Sequence, residues 1–200
     1  MEGSVTVSLV SDPEFPILGT EPFAVELANT LYGSGDQRID FFQTAEWIDR
    51  WFALVAPGHG LAAPGTAAAH DVRELRDCVH GLLSAAVERR TPDMAVVERL
   101  NGFAMAAPTH LRLEWPVDGG PAARLVDTTT GAAAILGRVA HCCIELLAGP
   151  QAGGLRRCRG PGCSLLFVKD HSRRRWCHPS CGHRDRQARY YRRRLDRAEI

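Results

Sequence analysis

Two hundred residues with 45% apolar content suffice for one medium domain with a real core, or for a domain plus a small module, and exclude global disorder. The formal net charge of +1 conceals an asymmetry: residues 151–200 carry 14 Lys/Arg, all arginine but Lys169, against four Asp/Glu, whereas residues 1–150 carry ten against 19. Such a split marks a tail suited to a polyanion on a body that is not; the plainer alternative is a basic tail docked on its own acidic body. The opening stretch MEGSVTVSLVSDPEFPILG has neither the basic start nor the apolar core of a secretory signal, and no run approaches the ~20 apolar residues that cross a bilayer. A cytoplasmic protein with no membrane partner is expected, and thiols in that compartment stay reduced.

Along the chain, EPFAVELANTLY (residues 21–32) reads as a short extended segment running into the Gly-rich YGSGD. TAEWIDRWFALV sets Trp47, Trp51, Leu54 and Val55 near helical spacing, and APGHGLAAPGT reads as a loop. A helix is expected from about Ala67 to Arg89, with Val72, Leu75, Val79, Leu82, Leu83 and Ala86 as its apolar stripe. TPDMAVVERLNGFAMAAP opens another, with Thr91 as N-cap, Pro92 in the first turn, Val97, Leu100 and Ala104 inward, and Pro108 as its stop. The period then changes to two: Leu111, Leu113 and Trp115 alternate with polar residues before the turn residues DGG, a β-hairpin signal. Helical period returns with Ile135, Leu136, Val139, Cys143, Leu146 and Leu147, and stops at Gly149-Pro150. GPQAGG reads as a flexible hinge that coincides with the change of charge sign, which sets the boundary between residues 1–150 and 151–200. The fold class expected is α+β: a mostly helical N-terminal domain with a short β-hairpin in its core layer, plus a small C-terminal treble-clef-like zinc finger.

That finger rests on four of the seven cysteines, Cys158, Cys163, Cys177 and Cys181, spaced Cys-x4-Cys, thirteen residues, Cys-x3-Cys. Two close pairs joined by a longer arm can surround one ion tetrahedrally, as a structural zinc site requires. Gly160, Pro161 and Gly162 allow the first pair to turn tightly. SLLFV then looks like the start of a small hairpin, RRRWC its return strand, and Pro179 the beginning of a helix with Cys181 in its first turn. A segment this short buries too little core to fold without a staple, so one structural Zn2+ held by four thiolates is expected. A Cys3His set using His178 or His183 is the alternative. Cys78, Cys142 and Cys143 lie among apolar residues and read as small buried side chains.

Read as a helix, CGHRDRQARYYRRRLDRAEI places Ala188, Tyr191, Leu195 and Ala198 on one seam, suited to pack on the hairpin. Arg186, Arg189, Tyr190, Arg193 and Arg197 fall on the other side. Arginine forks bind phosphate oxygens, and guanine O6/N7 where a helix enters a major groove. Arg173, Arg174 and Arg175 would add backbone contacts. Arg outnumbers Lys in residues 151–200 by 13 to 1, which favours bidentate recognition over mere solubilising charge.

RRCRGPGCSLLFVKDHSRRRWCHPSCGHRDRQARYYRRR resembles the CGNR zinc finger of bacterial regulators, in its cysteine spacing, the LF after the second ligand and the RRWC before the third. Residues 1–150 resemble the ABATE domain that usually precedes it, with VELANT (Val25–Thr30) where such proteins have a Leu-Asp-Leu-Ala-Asn-Thr-like stretch. The resemblance implies a stress-related transcription regulator whose finger binds DNA. Arg184 of the naming tetrapeptide, here Cys181-Gly182-His183-Arg184, joins the basic set; His183 stands where the family has Asn, so a contact through that amide is not carried over.

In residues 1–150, His59, His70, His80, His110 and His141 are scattered without a nucleophile–base spacing, and the GSG of residues 33–35 lacks the Lys-Ser/Thr of a phosphate loop. No enzyme is expected. Glu26, Asn29 and Thr30 are candidates for lining an effector pocket, against the simpler view that the Asn and Thr bond their own turn. The expected function is DNA-binding regulation, with residues 1–150 sensing a small-molecule signal or forming a homodimer. The rivals are an RNA-binding or ribosome-associated module, and a ligand-binding body with the finger as a docking appendix.

Overall fold

The computed structural model describes residues 14–33 and 38–198, and not the side chains of residues 125 and 195–198. The leader reading over residues 1–13, most of the Gly-rich loop (34–37) and the side chain of Arg197 therefore lie outside the described residues.

At the centre of the body is a helix where an extended segment was expected. Phe23–Ala28 forms α1, and all six of its residues are buried. Ala, Leu and Glu are good helix formers, and Pro22 stands at the N-cap with its carbonyl accepting from Val25 and Glu26 N–H. A run buried on every side has no period, so a strand and a short core helix look alike in sequence. The true strand is confined to β1 (Leu31–Tyr32), paired antiparallel with β2 (Ile39–Asp40).

Four more helices build the body, of which the first, second and fourth in chain order touch α1 directly. In α2 (Ala45–Val55), Thr44 caps the N-terminus by accepting from Trp47 N–H, and Ile48, Trp51, Phe52 and Val55 face inward. That face is turned from the expected one: Leu54 is exposed and Trp47 only half-buried. Phe23, Phe42 and Phe52 surround Trp51 with ring centroids within 5.7 Å of their neighbours. The long α3 (Ala69–Glu88) buries Val72, Leu75, Val79, Leu82 and Leu83 as expected, but Ala85 rather than Ala86. Asp93, not Thr91, caps α4 (Met94–Ala106), accepting from Ala95 N–H at 2.9 Å. In α5, Gly131–Ala148, Val139, Ala140 and Cys143 are fully buried. This helix is long and apolar enough to cross a membrane by composition alone; its apolar faces are instead spent on α1, α3 and α4.

Between α4 and α5, β3 (Thr109–Glu114) and β4 (Ala122–Asp127) form the expected antiparallel hairpin. It does not belong to the core layer: Leu111 is 72% exposed and Trp115 69%. Two strands alone have no second layer to cover their apolar face, and here that face meets solvent.

The supposed hinge is a 3-10 turn (Ala152–Gly154) that delivers β5 (Leu155–Arg157) straight onto the body. β5 pairs antiparallel with β6 (Leu166–Val168), in register Leu155↔Val168 and Arg157↔Leu166. Period two then divides the hairpin. Leu155, Leu166 and Val168 enter the body's core, whereas Phe167 joins Leu165 and the cysteines in a small core of its own. The small core around the cysteines and the body's core thus meet through one hairpin, with the 3-10 turn between them. RRRWC is not a strand; the return partner of β6 precedes the first cysteine, and the zinc knuckle is the tip of this hairpin. Last comes α6 (Pro179–Ala198), anchored at its start, where Cys181 and Gly182 are buried. Of the expected seam, Ala188 is half-buried and Tyr191 is 63% exposed, while the side chains of Leu195 and Ala198 lie outside the described residues.

Candidate zinc centre and nucleic-acid interface

Cys158 directly follows β5, and Cys163 closes the knuckle turn by donating its N–H to Gly160 O at 3.0 Å. Cys177 precedes α6, and Cys181 lies in its first turn. All four sulfurs lie within 4.8 Å of one another, with Cys163–Cys177 at 3.7 Å and Cys177–Cys181 at 3.6 Å. A tetrahedron with Zn–S near 2.3 Å has edges of about 3.8 Å, so the cage fits zinc. The donor chemistry agrees. Hydrogen bonding with the Cys158 sulfur, backed by burial, pushes the Cys163 thiol up to about 12 and raises Cys177 as well. Sulfurs this crowded cannot all be thiolates unless a cation sits among them. Gly160 and Cys177 N–H point at the Cys158 sulfur at 3.4 and 3.5 Å, and the Arg184 guanidinium donates to the Cys181 sulfur at 3.1 Å, easing the negative charge further. His178 is exposed, with Nδ1 engaged by Ser180, and His183 is exposed; neither is needed to complete the set. The centre holds one structural zinc ion on four cysteines.

The three pocket candidates are bonded within the chain instead, Thr30 to its own turn as the simpler view has it and Asn29 to the finger. Glu26, Asn29 and Thr30 are each at most 2% exposed. Glu26 accepts N–H groups of Leu18, Gly19 and Glu21, while burial raises its carboxyl above the usual range. Thr30 donates to Leu27 O within its own turn. Asn29 reaches across to the finger: its amide donates to Leu166 O at 3.0 Å and accepts from Leu166 N–H at 2.8 Å. With their polar groups bonded inside the chain, they hold structure together and leave nothing for a ligand.

Further contacts tie the same two parts. Glu21 accepts from Val168 N–H at 2.7 Å and from Arg174 Nη2 at 2.6 Å. Tyr32 donates its hydroxyl to Gly162 O, and Gly33 N–H donates to Ser164 Oγ. Arg157 meets Ser84 and Glu88 of α3. Part of the basic tail is thus docked on the acidic body, and Arg174 belongs to that part. Its side chain is 16% exposed, donates also to Val168 O and Cys177 O, and lies 4.8 Å over the Phe167 ring. The expectation that Arg174 contacts DNA is corrected: its charge is consumed by Glu21.

The remaining arginines are displayed. Arg173, Arg175, Arg186 and Arg193 are exposed without a carboxylate partner among the described residues. Arg189 pairs with Asp185 at 2.9 Å, and Arg184 leans on the zinc sulfur. Tyr190 is 59% exposed, packed edgewise on Tyr191 and beneath Arg194. Sequence reasoning missed Arg156, Arg159 and Lys169, which line a cleft of about 580 Å³ between the hairpin and α6. The available signal was β-alternation: with Leu155 inward, Arg156 must face the other way.

These features define a class: a helical body into which a four-thiolate, treble-clef-like zinc finger is built. Residues 21–150 match the ABATE family, described as "Putative stress-induced transcription regulator", and residues 155–194 match the CGNR zinc finger. The chain belongs to this family of ABATE–CGNR proteins, the kinship that VELANT and the cysteine spacing imply. No curated protein matches it significantly.

Proposed function

We propose that this protein is a DNA-binding transcription regulator of the cytoplasm, without catalytic activity, in which the zinc-organised finger grips duplex DNA. The observation that supports this most is the outer face of α6, where Arg186, Arg193 and Tyr190 stand in solvent on a helix held at its start. A major groove about 12 Å wide admits such a helix, and arginine forks match both its phosphate rims and guanine edges. Titrating the zinc-loaded protein with labelled duplex fragments across a salt series tests it. Affinity should fall with a log–log slope of roughly −0.9 per phosphate neutralised, and a flat salt response would rule the proposal out.

Two adjacent tyrosines in solvent favour a second reading, in which unpaired RNA bases stack on them. Competition between structured RNA and duplex DNA at matched salt decides between the two. Of the roles expected for residues 1–150, sensing and pairing of copies, pairing has an observation behind it: the uncovered Leu111, Leu113 and Trp115 of the β3–β4 hairpin. Sedimentation velocity of the wild type and of Leu113→Asp would separate a dimer from a monomer.

A further inference from the structure

The cleft between the β5–β6 hairpin and α6 carries more positive charge than any structural role explains. Arg156, Arg159, Lys169, Arg175 and Arg189 line it, and Asp185 is the one acid among its lining residues. Two more guanidinium groups on its border are already neutralised, Arg174 by Glu21 and Arg157 by Glu88. Asp185 is occupied with Arg189. Arg156, Arg159, Lys169 and Arg175 have no carboxylate partner among the described residues; Arg156 donates to Leu155 O and Lys169 to Ser172 O, neutral acceptors that leave the charge in place, so four cations line one concavity without a balancing acid.

Charges of one sign in a concave, partly dry wall repel one another and focus their field outward, an arrangement that a bound anion relieves. Trp176 supplies an apolar wall, its indole packed close against Gly182, where a Cβ would lie 3.0 Å from the ring. Zinc sets the geometry: Arg159 lies inside the knuckle, Arg175 two residues before Cys177, and Arg189 two turns along α6 from Cys181.

We infer that this cleft is a phosphate seat, distinct from the outer face of α6, which takes the sugar–phosphate backbone of the bound nucleic acid while α6 lies in the neighbouring groove. The phosphate chemistry stands on the cleft alone; the nucleic-acid source rests on the function proposed above. A volume of about 580 Å³ also suits a free phosphorylated molecule, the other source of the same chemistry.

Pyrophosphate and duplex DNA are the two probes, applied to the full-length, zinc-loaded protein. The variants are Arg156→Gln/Lys169→Gln in the cleft and Arg186→Gln/Arg193→Gln on the outer face. Pyrophosphate should shift the Trp176 indole resonance in the wild type and in the outer-face variant, and bind at least about tenfold more weakly to the cleft variant. The cleft variant should also lose affinity for unrelated duplexes alike, with a log–log salt slope shallower by roughly 2, for two lost phosphate contacts. Should it lose zinc, exposed Arg175→Gln replaces it, with about half that change. No pyrophosphate shift, or one unaltered in the cleft variant, overturns the phosphate seat. Unchanged DNA affinity and slope in the cleft variant, with binding lost in the outer-face variant, overturns the backbone role and leaves the regulator reading standing. Pyrophosphate binding that needs the cleft, in a protein that binds no duplex, overturns the nucleic-acid source and assigns the seat to a small phosphorylated ligand.

Discussion

Asn29 of the body and Leu166 of the finger exchange a matched pair of hydrogen bonds, 3.0 and 2.8 Å, across 137 residues of chain. The side-chain amide acts as one residue of an absent third strand, satisfying both backbone groups of Leu166 at the start of β6. Asn29→Ala leaves a buried N–H and a buried C=O unpaired, a loss of about 2–4 kcal/mol. Urea titration should show the body and finger signals moving together. Loss of finger signals alone would mean that Asn29 acts only locally.

Arg174 bonds to Glu21, which is 1% exposed, and to three backbone carbonyls of its own finger, those of Val168, Trp176 and Cys177. Removing one member of a buried ion pair strands the other, at a cost of about 3–5 kcal/mol. Arg174→Ala should therefore be destabilising, whereas its neighbours Arg173→Ala and Arg175→Ala should leave the melting temperature nearly unchanged. Differential scanning calorimetry of the three variants separates the docked arginine from the displayed ones. Equal midpoints would contradict the pairing.

Chelation should be felt beyond the finger. Leu155, Leu166 and Val168 are part of the body's core, and the knuckle that sets their hairpin is closed by zinc. Cys177→Ser, or a chelator in excess, should lower the melting temperature of the helical body as well as disorder the finger. Helical ellipticity near 222 nm with bound zinc measured in parallel is the check. A body that melts at its original temperature without zinc would restore the two-core view.

What could be read from the chain follows the range of the interactions. Cysteine spacing declares a metal site because ligands bend the chain locally, and α3 and α5 show their period because each has one dry face. The α1 helix was hidden because Phe23–Ala28 is dry all round. Contact between finger and body was hidden because alternation in β5 and β6 tells which residues share a face but not what that face packs against, and strands of three residues leave even the alternation faint. Among three consecutive arginines, what makes Arg174 different is Glu21, 153 positions earlier in sequence. Asn29 looked like a ligand contact because a polar residue amid apolar ones needs a partner, and its partner is backbone from the far end of the chain.

Close approach at the zinc centre makes two glycines sensitive. A Cβ on Gly160 would lie 2.8 Å from Cys181 Cβ, and one on Gly182 would lie 3.0 Å from the Trp176 ring. Gly160→Ala forces the knuckle away from α6 and should weaken zinc binding by roughly tenfold or more, about 1.4 kcal/mol. Gly182→Ala should displace Trp176 and cost less, because a ring edge can shift where a ligand-bearing backbone cannot. Competition with a chromophoric zinc chelator ranks the two, and the reverse order would show that the indole is the stiffer neighbour.

His80 on α3 gives stability a pH dependence. Burial, reinforced by the positive charges of Arg38, Arg157 and Arg76, pushes its imidazole down to about 4 from an ordinary value near 6.5. Between those values the unfolded chain holds the proton and the folded chain does not, so stability must fall as pH drops through the window. Its contribution is complete at neutral pH and lost progressively below about 6.5. His80→Gln removes the titration, so its urea midpoint should decline less than that of the wild type between pH 7 and pH 5. Acid weakening of the zinc thiolates is common to both proteins and cancels in the difference. Parallel pH profiles would mean that the His80 ring takes up its proton in the folded protein as readily as in the unfolded chain.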